Sequence, residues 1–211
     1  VGDTVYFTTD ESNKYKDRIM LYVVSGFMRT GTSMMMRALE AGGLEASYKA
    51  DRDKMKNHFS DAHYDANIGG LYELERQDYK DPNFPRSYEG KLIKALNIGV
   101  PRMVVMPKGI RVVFMRRDKE EIRQSYDAFF GQQINVENLD ERMERTIETI
   151  KNRKDVLSCD IYWFREVIDK PYEHFVELKR HHWPIDVDKC VDMVDPKYCR
   201  FKLEKLTVGI V

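Results

Sequence analysis

IMLYVVSGFMRTGTSMMMRALEAGG, residues 19–43, is the stretch on which the fold turns. Residues 19–25 are an apolar block rich in strand formers. The block runs straight into GFMRTGTS, and the segment after it sets Met34, Met35, Ala38 and Leu39 at the spacing of one helix face. The Gly42-Gly43 pair stops that helix, because glycine takes a left-handed terminus at little cost. Strand, glycine-bearing loop and helix in this order make a corner where backbone N–H groups and the positive end of a helix can meet an anion.

Within the loop, Gly26-Phe27-Met28-Arg29-Thr30-Gly31-Thr32-Ser33 has the G-x-x-x-x-G spacing of a P-loop in the context such a loop requires. In nucleotide triphosphatases a Lys follows the second Gly and reaches the β- and γ-phosphates. Here Thr32 stands in that place, and the cation of the loop is Arg29. The expectation is a cradle for a phosphate other than the γ-phosphate of ATP. The alternative is that the glycines merely close a strand–helix corner.

Downstream, residues 44–48 read as a second short strand. Residues 49–87 are polar and turn-rich, with two prolines. A connection of that length usually serves as a lid or substrate loop, the role expected for residues 49–89. GKLIKAL, residues 90–96, reads as a strand, with Lys94 between Ile93 and Ala95. A lysine inside an apolar strand either faces an anion or guards a sheet edge against aggregation. IRVVFM, residues 110–115, is a fully apolar strand, and RDKEEIRQSYDAFF is an amphipathic helix with Asp118 near its start.

Arg116 and Arg117 fall where that strand ends, and ligands of α/β sheets bind beyond the carboxyl ends of strands. Arginine suits bidentate contact with phosphate, and Ser125, about two turns into the helix, can offer a hydroxyl to the same anion. Lys119 and Arg123 read as surface charges. Residues 137–157 predict a long charged helix with Leu139, Met143, Ile147, Ile150 and Leu157 as its packed stripe. CDIYWF, residues 159–164, is a last strand, and two or three short helices follow. Strands alternating with helices predict one α/β domain over residues 1–211, with a mostly parallel sheet.

Composition narrows the partners. The 211 residues hold 35 Lys+Arg against 35 Asp+Glu, a balance that argues against nucleic acid or a polybasic membrane contact. It conceals a local excess, since residues 101–123 carry seven basic and three acidic side chains. At 42% hydrophobic and 33% charged the chain has the composition of a soluble globule. No run approaches the roughly 18 apolar residues of a membrane span and the first segment lacks the shape of a signal peptide, so a cytoplasmic location is expected. Cys159, Cys190 and Cys199 show no C-x-x-C spacing, which disfavours a disulfide framework and a zinc site. His181-His182, beside Trp183-Pro184, reads as a helix end, and no metal is expected.

Two segments carry a resemblance. Met28-Arg29-Thr30-Gly31-Thr32-Ser33 resembles P-[KR]-[ST]-G-T-[ST], the first phosphosulfate-binding segment of the sulfotransferase family. VVFMRRDKEEIRQSY, residues 112–126, resembles its second, with Arg117 and Ser125 at the family's eight-residue interval. NIGGLYE (67–73), GKLIKAL (90–96), FREVIDKP (164–171) and WPIDVDKCVDMVDPKYCRF (183–201) are similar to further segments of bacterial-type members. The resemblance spans about residues 19–206. Met28 replaces the usual Pro, Lys119 the Pro after R-D, and Phe164 the usual Tyr. The glycine-rich C-terminal lid of the cytosolic animal enzymes has no counterpart.

The resemblance implies a P-loop NTPase-like three-layer sandwich, with a mostly parallel sheet flanked by helices. It implies 3′-phosphoadenosine 5′-phosphosulfate (PAPS) as donor, 3′,5′-ADP (PAP) as product, and a small-molecule or glycan-type acceptor hydroxyl or amine. Thr30, Gly31, Thr32 and Ser33 would then hold the 5′-phosphate, Arg29 would also neutralise the leaving oxygen, and Arg117 with Ser125 would hold the 3′-phosphate. Lys94 would add charge at the reacting centre. A general base must take the acceptor proton, and Glu73 is the first candidate, ahead of Glu75, Asp78, Glu89 and His63. The same carboxylates also read as solvated surface groups. Tyr198 and Arg200 either reach the cofactor or pack. The rival readings are a P-loop small-molecule kinase and a non-catalytic nucleotide-binding module.

Overall fold

A computed structural model describes residues 20–48, 72, 74, 77–97 and 99–196. Strand β1 (Leu21–Gly26) leads through the loop into helix α1 (Thr32–Ala41). Then come β2 (Leu92–Lys94), β3 (Ile110–Arg116), α2 (Lys119–Phe130), α3 (Leu139–Lys151) and β4 (Val156–Trp163). Three short helices follow: α4 (Phe164–Asp169), α5 (Pro171–Arg180) and α6 (Val187–Asp192). The strands lie in the order β2-β1-β3-β4, and every neighbouring pair is parallel.

Side chains alternate between the two faces of a strand, so each strand feeds two cores. Leu21, Val23, Ile93, Val112 and Phe114 pack with Ile122 of α2 and with Leu139, Met143, Ile147 and Ile150 of α3. Tyr22, Val24, Leu92, Val113 and Met115 pack on the other face with Met35, Met36 and Leu39 of α1, Phe175 and Leu178 of α5, and Cys190 of α6. The result is an α/β sandwich of three layers with the P-loop arrangement of strand, loop and helix. A parallel sheet covered on both faces explains why β1 and β3 read as unbroken apolar runs. The chain leaves β1 toward β2 on one side and β3 toward β4 on the other, so the crevice between β1 and β3 is the switch point where such sheets bind ligands.

Several sequence expectations shift. Met36, not Met34, lies in the core beside Met35, because Thr32 is already buried at the start of α1 and turns the helix face by one position. Residues 44–48 make one isolated bridge, Ala46 to Leu92, instead of a strand. Leu157 belongs to β4, not to the helix. Helix α3 ends at Lys151, and Arg153 anchors the turn by bonding Asp155 and the carbonyls of Met103 and Val104. Val156 then pairs with β3, and this pairing overrides a helical period that continued by coincidence. Most of the expected substrate loop, residues 49–71, lies outside the described residues, and its later part forms two short turns, Asp78–Lys80 and Arg86–Tyr88. No described helix is long and apolar enough to cross a membrane.

The His181-His182 pair does mark a helix end, with His182 at φ 63°. His181 has a further role that the sequence did not suggest. Its Nδ1 pairs with the buried carboxylate of Asp160, which also accepts from Trp183 Nε1 at 3.1 Å and Ser158 Oγ at 3.2 Å. Arg111 Nη1 donates to the His181 carbonyl at 2.7 Å. The hydrogen bond to Asp160, opposed by burial, holds the His181 imidazole above its ordinary pKa.

A folded-state pKa above the unfolded one gives stability that is complete below the unfolded value and is lost as pH rises through the folded value. Urea titrations of wild type and His181→Asn should therefore differ most near about pH 5, and the difference should shrink as pH climbs past about 6.5. A difference that does not move with pH would show that His181 is not titrating against Asp160.

Candidate functional site

All four strands deliver chemistry to the carboxyl edge of the sheet. At the end of β1, Gly26 has φ 145°, and a Cβ there would sit 2.6 Å from Thr30 Oγ1 and 2.7 Å from the Met115 carbonyl. Only glycine lets the loop lie this close to β3. Thr30 Oγ1 donates back to the Phe27 carbonyl at 2.8 Å and closes the turn. Arg29 takes the left-handed region at φ 68°, an unusual state for a side-chain-bearing residue and one often found in ligand-binding turns. Gly31, at φ 94°, abuts the Phe164 ring so closely that an added Cβ would lie 2.3 Å from Cδ2.

Helix α1 then begins with no side-chain cap and no acidic residue in its first turn. Its N-terminal amides and dipole are left to act on an incoming anion, with the Thr32 and Ser33 hydroxyls beside them. Lys94, the last residue of β2, lies on the α1 side of the sheet, 3% exposed, with Nζ 3.5 Å from Ser33 Oγ. Its strand is an edge among the described strands, yet a buried ammonium does not guard an edge.

The second corner follows β3. Arg29 Nε donates to Ser125 Oγ of α2 at 3.0 Å, and its guanidinium lies 4.7 Å from the Phe129 ring centroid. Arg117, 6% exposed, donates from Nη1 to the Arg29 carbonyl at 3.1 Å and from Nε to Glu121 at 2.9 Å, above the Phe164 ring at 4.5 Å. Arg165 donates to the other oxygen of Glu121. Burial pushes the Glu121 carboxyl up, but hydrogen bonds from Arg165 and Arg117 outweigh it and hold it below the usual carboxylate range. A cleft of about 420 Å³ opens beside this group, lined by Arg117, Arg165 and Trp163 together with the acids Asp118, Glu121, Glu166 and Asp169.

The structure thus brings Arg29, Thr30, Gly31, Thr32, Ser33, Lys94, Arg117 and Ser125 to one edge of the sheet. It separates Arg116 from them. Arg116 shares the face of Val112 and Phe114, where it pairs with Glu144 at 2.6 Å and stacks on Trp163 at 4.6 Å. Lys119 and Arg123 are surface charges, near Asp140 at 3.9 Å and Glu120 at 2.7 Å. Glu73, Glu75, His63, Tyr198 and Arg200 lie outside the described residues. Asp78 accepts from the Tyr88 hydroxyl at 2.7 Å. Glu89 precedes β2 and pairs with Lys108 at 3.5 Å, so it sits at the amino edge of the sheet, opposite the loop, and is not the base.

Sequence reasoning missed Glu121, Arg165 and the packing roles of Phe129 and Phe164. The one available signal was the i,i+4 spacing of Arg117 and Glu121. Among the described residues, no three His, Cys, Asp or Glu side chains group as metal ligands. Burial pushes the Cys159 and Cys190 thiols up to about 12, which leaves them inert.

No family model matches the chain, and no curated protein matches it. Among solved structures it is similar to an unliganded sugar kinase from Janibacter sp., with a TM-score of 0.40 and 12% identity over 83% of this chain and 98% of that one. It is also similar to retinol dehydratase in complex with androsterone and inactive cofactor PAP, with a TM-score of 0.42 and 11% identity over 88% of this chain and 66% of that one.

The contact between Gly31 and Phe164 makes a testable demand. Gly31→Ala should cost about 1–3 kcal/mol in urea unfolding, through strain at positive φ and collision with the ring. Adding Phe164→Leu should recover the part due to collision. Equal losses from Gly31→Ala with and without the ring would show that the ring is not the constraint.

Proposed function

We propose that this chain is a sulfotransferase that moves a sulfuryl group from PAPS to a hydroxyl or amine of a small-molecule or glycan-type acceptor and releases 3′,5′-ADP. The observation that carries the reading is the hydrogen bond from Arg29 Nε to Ser125 Oγ, across 96 residues of sequence. It joins the cation of the loop to the serine of the second motif, with Arg117 bonded to the Arg29 carbonyl beside it. Thr32, in place of the P-loop lysine, supports the same reading.

The residues present fit a nucleotide with two separated phosphates. The amides of the first turn of α1, with Thr32 and Ser33, would hold the 5′-phosphate, with Thr30 and Gly31 shaping the loop. Arg117 and Ser125 would hold the 3′-phosphate. When bound, PAPS supplies an activated sulfuryl group. Arg29, between the two phosphate positions, would neutralise the leaving oxygen, and Lys94 would add a second cation from the β2 side. The proposed base, Glu73, would take the proton of the acceptor. A kinase reading draws on Lys94 as well, since its ammonium reaches the loop serine from a neighbouring strand.

Thermal unfolding with added nucleotide separates these readings. PAP should raise the melting temperature more than Mg-ATP does, and radiolabelled sulfate should move from PAPS to members of an acceptor panel. Arg29→Ala should lower transfer by about 10²–10³-fold, the usual effect of losing one preorganised charge donor. Stabilisation by Mg-ATP alone would favour the kinase, and binding of PAP without any transfer would favour a non-catalytic module.

A further inference from the structure

We propose that Glu121 is a positioning residue for the second phosphate: its carboxylate holds Arg117 and Arg165 together and so aims Arg117 at the corner shared with Arg29 and Ser125. The identity of the ligand in this proposal rests on the sulfotransferase reading. The geometry of the carboxylate does not.

A guanidinium has five N–H donors in a rigid fork. Arg117 spends its Nε on Glu121 at 2.9 Å and one donor of Nη1 on the Arg29 carbonyl at 3.1 Å. These two bonds and the Phe164 ring below fix the plane of the fork. Neither bond uses Nη2. Glu121 is 3% exposed and sits in the first turn of α2, four residues after Arg117 and across the sequence from Arg165. Without the carboxylate, Arg117 would keep only the carbonyl and the ring, which leave it free to tilt.

Orientation and charge make opposite predictions for Glu121→Gln. If the carboxylate merely balances charge, its removal makes the corner more positive and tightens every anion. If it positions Arg117, its removal weakens the ligand that uses Arg117 and spares the one that does not. Calorimetry on the full chain with 3′,5′-ADP and 5′-AMP reads the difference. We expect Glu121→Gln to weaken 3′,5′-ADP at least about tenfold and to leave 5′-AMP within about twofold, with Glu121→Asp falling between Gln and wild type.

Tighter binding of both nucleotides, or equal weakening of both, would overturn the proposal. Should the Gln variant not fold, Glu121→Asp decides: wild-type selectivity there also overturns it. If wild type does not distinguish the two nucleotides, the ligand reading fails and inorganic phosphate decides the positioning role. A tenfold loss in the Gln variant then supports the role, and no loss, or no phosphate binding by wild type, removes it.

Discussion

Arg117 is buried against three different parts of the chain at once, and the geometry of the site depends on how that one guanidinium is held. It meets the β1–α1 loop through the Arg29 carbonyl, α2 through Glu121, and α4 through the Phe164 ring. A buried charge is tolerated only when its partners and hydrogen bonds compensate for lost water, and removal of one partner leaves the other exposed to that cost. Here the compensation also does geometric work. The carbonyl that Arg117 grips belongs to the one loop residue held in the left-handed region without being glycine. Strain at Arg29, of the order of 1–3 kcal/mol for such a state, is retained because the Arg29 carbonyl and side chain are both bound to the second corner.

The N-termini of α1 and α2 at this edge are not equivalent. Helix α2 is capped by Asp118, whose carboxylate accepts from the amides of Glu120 and Glu121, and its first turn carries two more acids. Its positive end is already satisfied from within. Helix α1 has neither cap nor acid. At this edge, therefore, the uncapped end belongs to α1, while the α2 corner presents side chains.

Much of this was legible because it is local or periodic. A strand, five loop residues and a helix are consecutive, and Arg117 and Ser125 are separated by a fixed number of helical turns. Even the split between Arg116 and Arg117 could be read from alternation, since Arg116 continues the series Ile110, Val112 and Phe114 that faces α2 and α3. What could not be read is contact at long range. Glu121 and Arg165 are 44 residues apart, Asp160 and His181 are 21 apart, and neither pair has a spacing that predicts it. Leu157 shows the opposite hazard: a helical period ran on past the helix, and pairing with β3 decided the matter.

The carboxyl edge of the sheet gathers sources of positive charge. The N-terminus of α1, the Lys94 ammonium and the Arg29 guanidinium bring positive charge to one small region, and Lys94 is all but removed from water. Low exposure makes screening of such charge by salt less effective. An anion that bound the folded chain and not the unfolded one would raise stability, so binding and stability are linked in the same direction. Glu121, bonded to both Arg117 and Arg165, offsets part of the charge at the second corner. The overall neutrality of the chain is therefore no guide to this region: Arg117 and Arg165 share a cleft with Asp118, Glu121, Glu166 and Asp169, and what distinguishes Glu121 is that it is bonded to both arginines and so fixes where one of them lies.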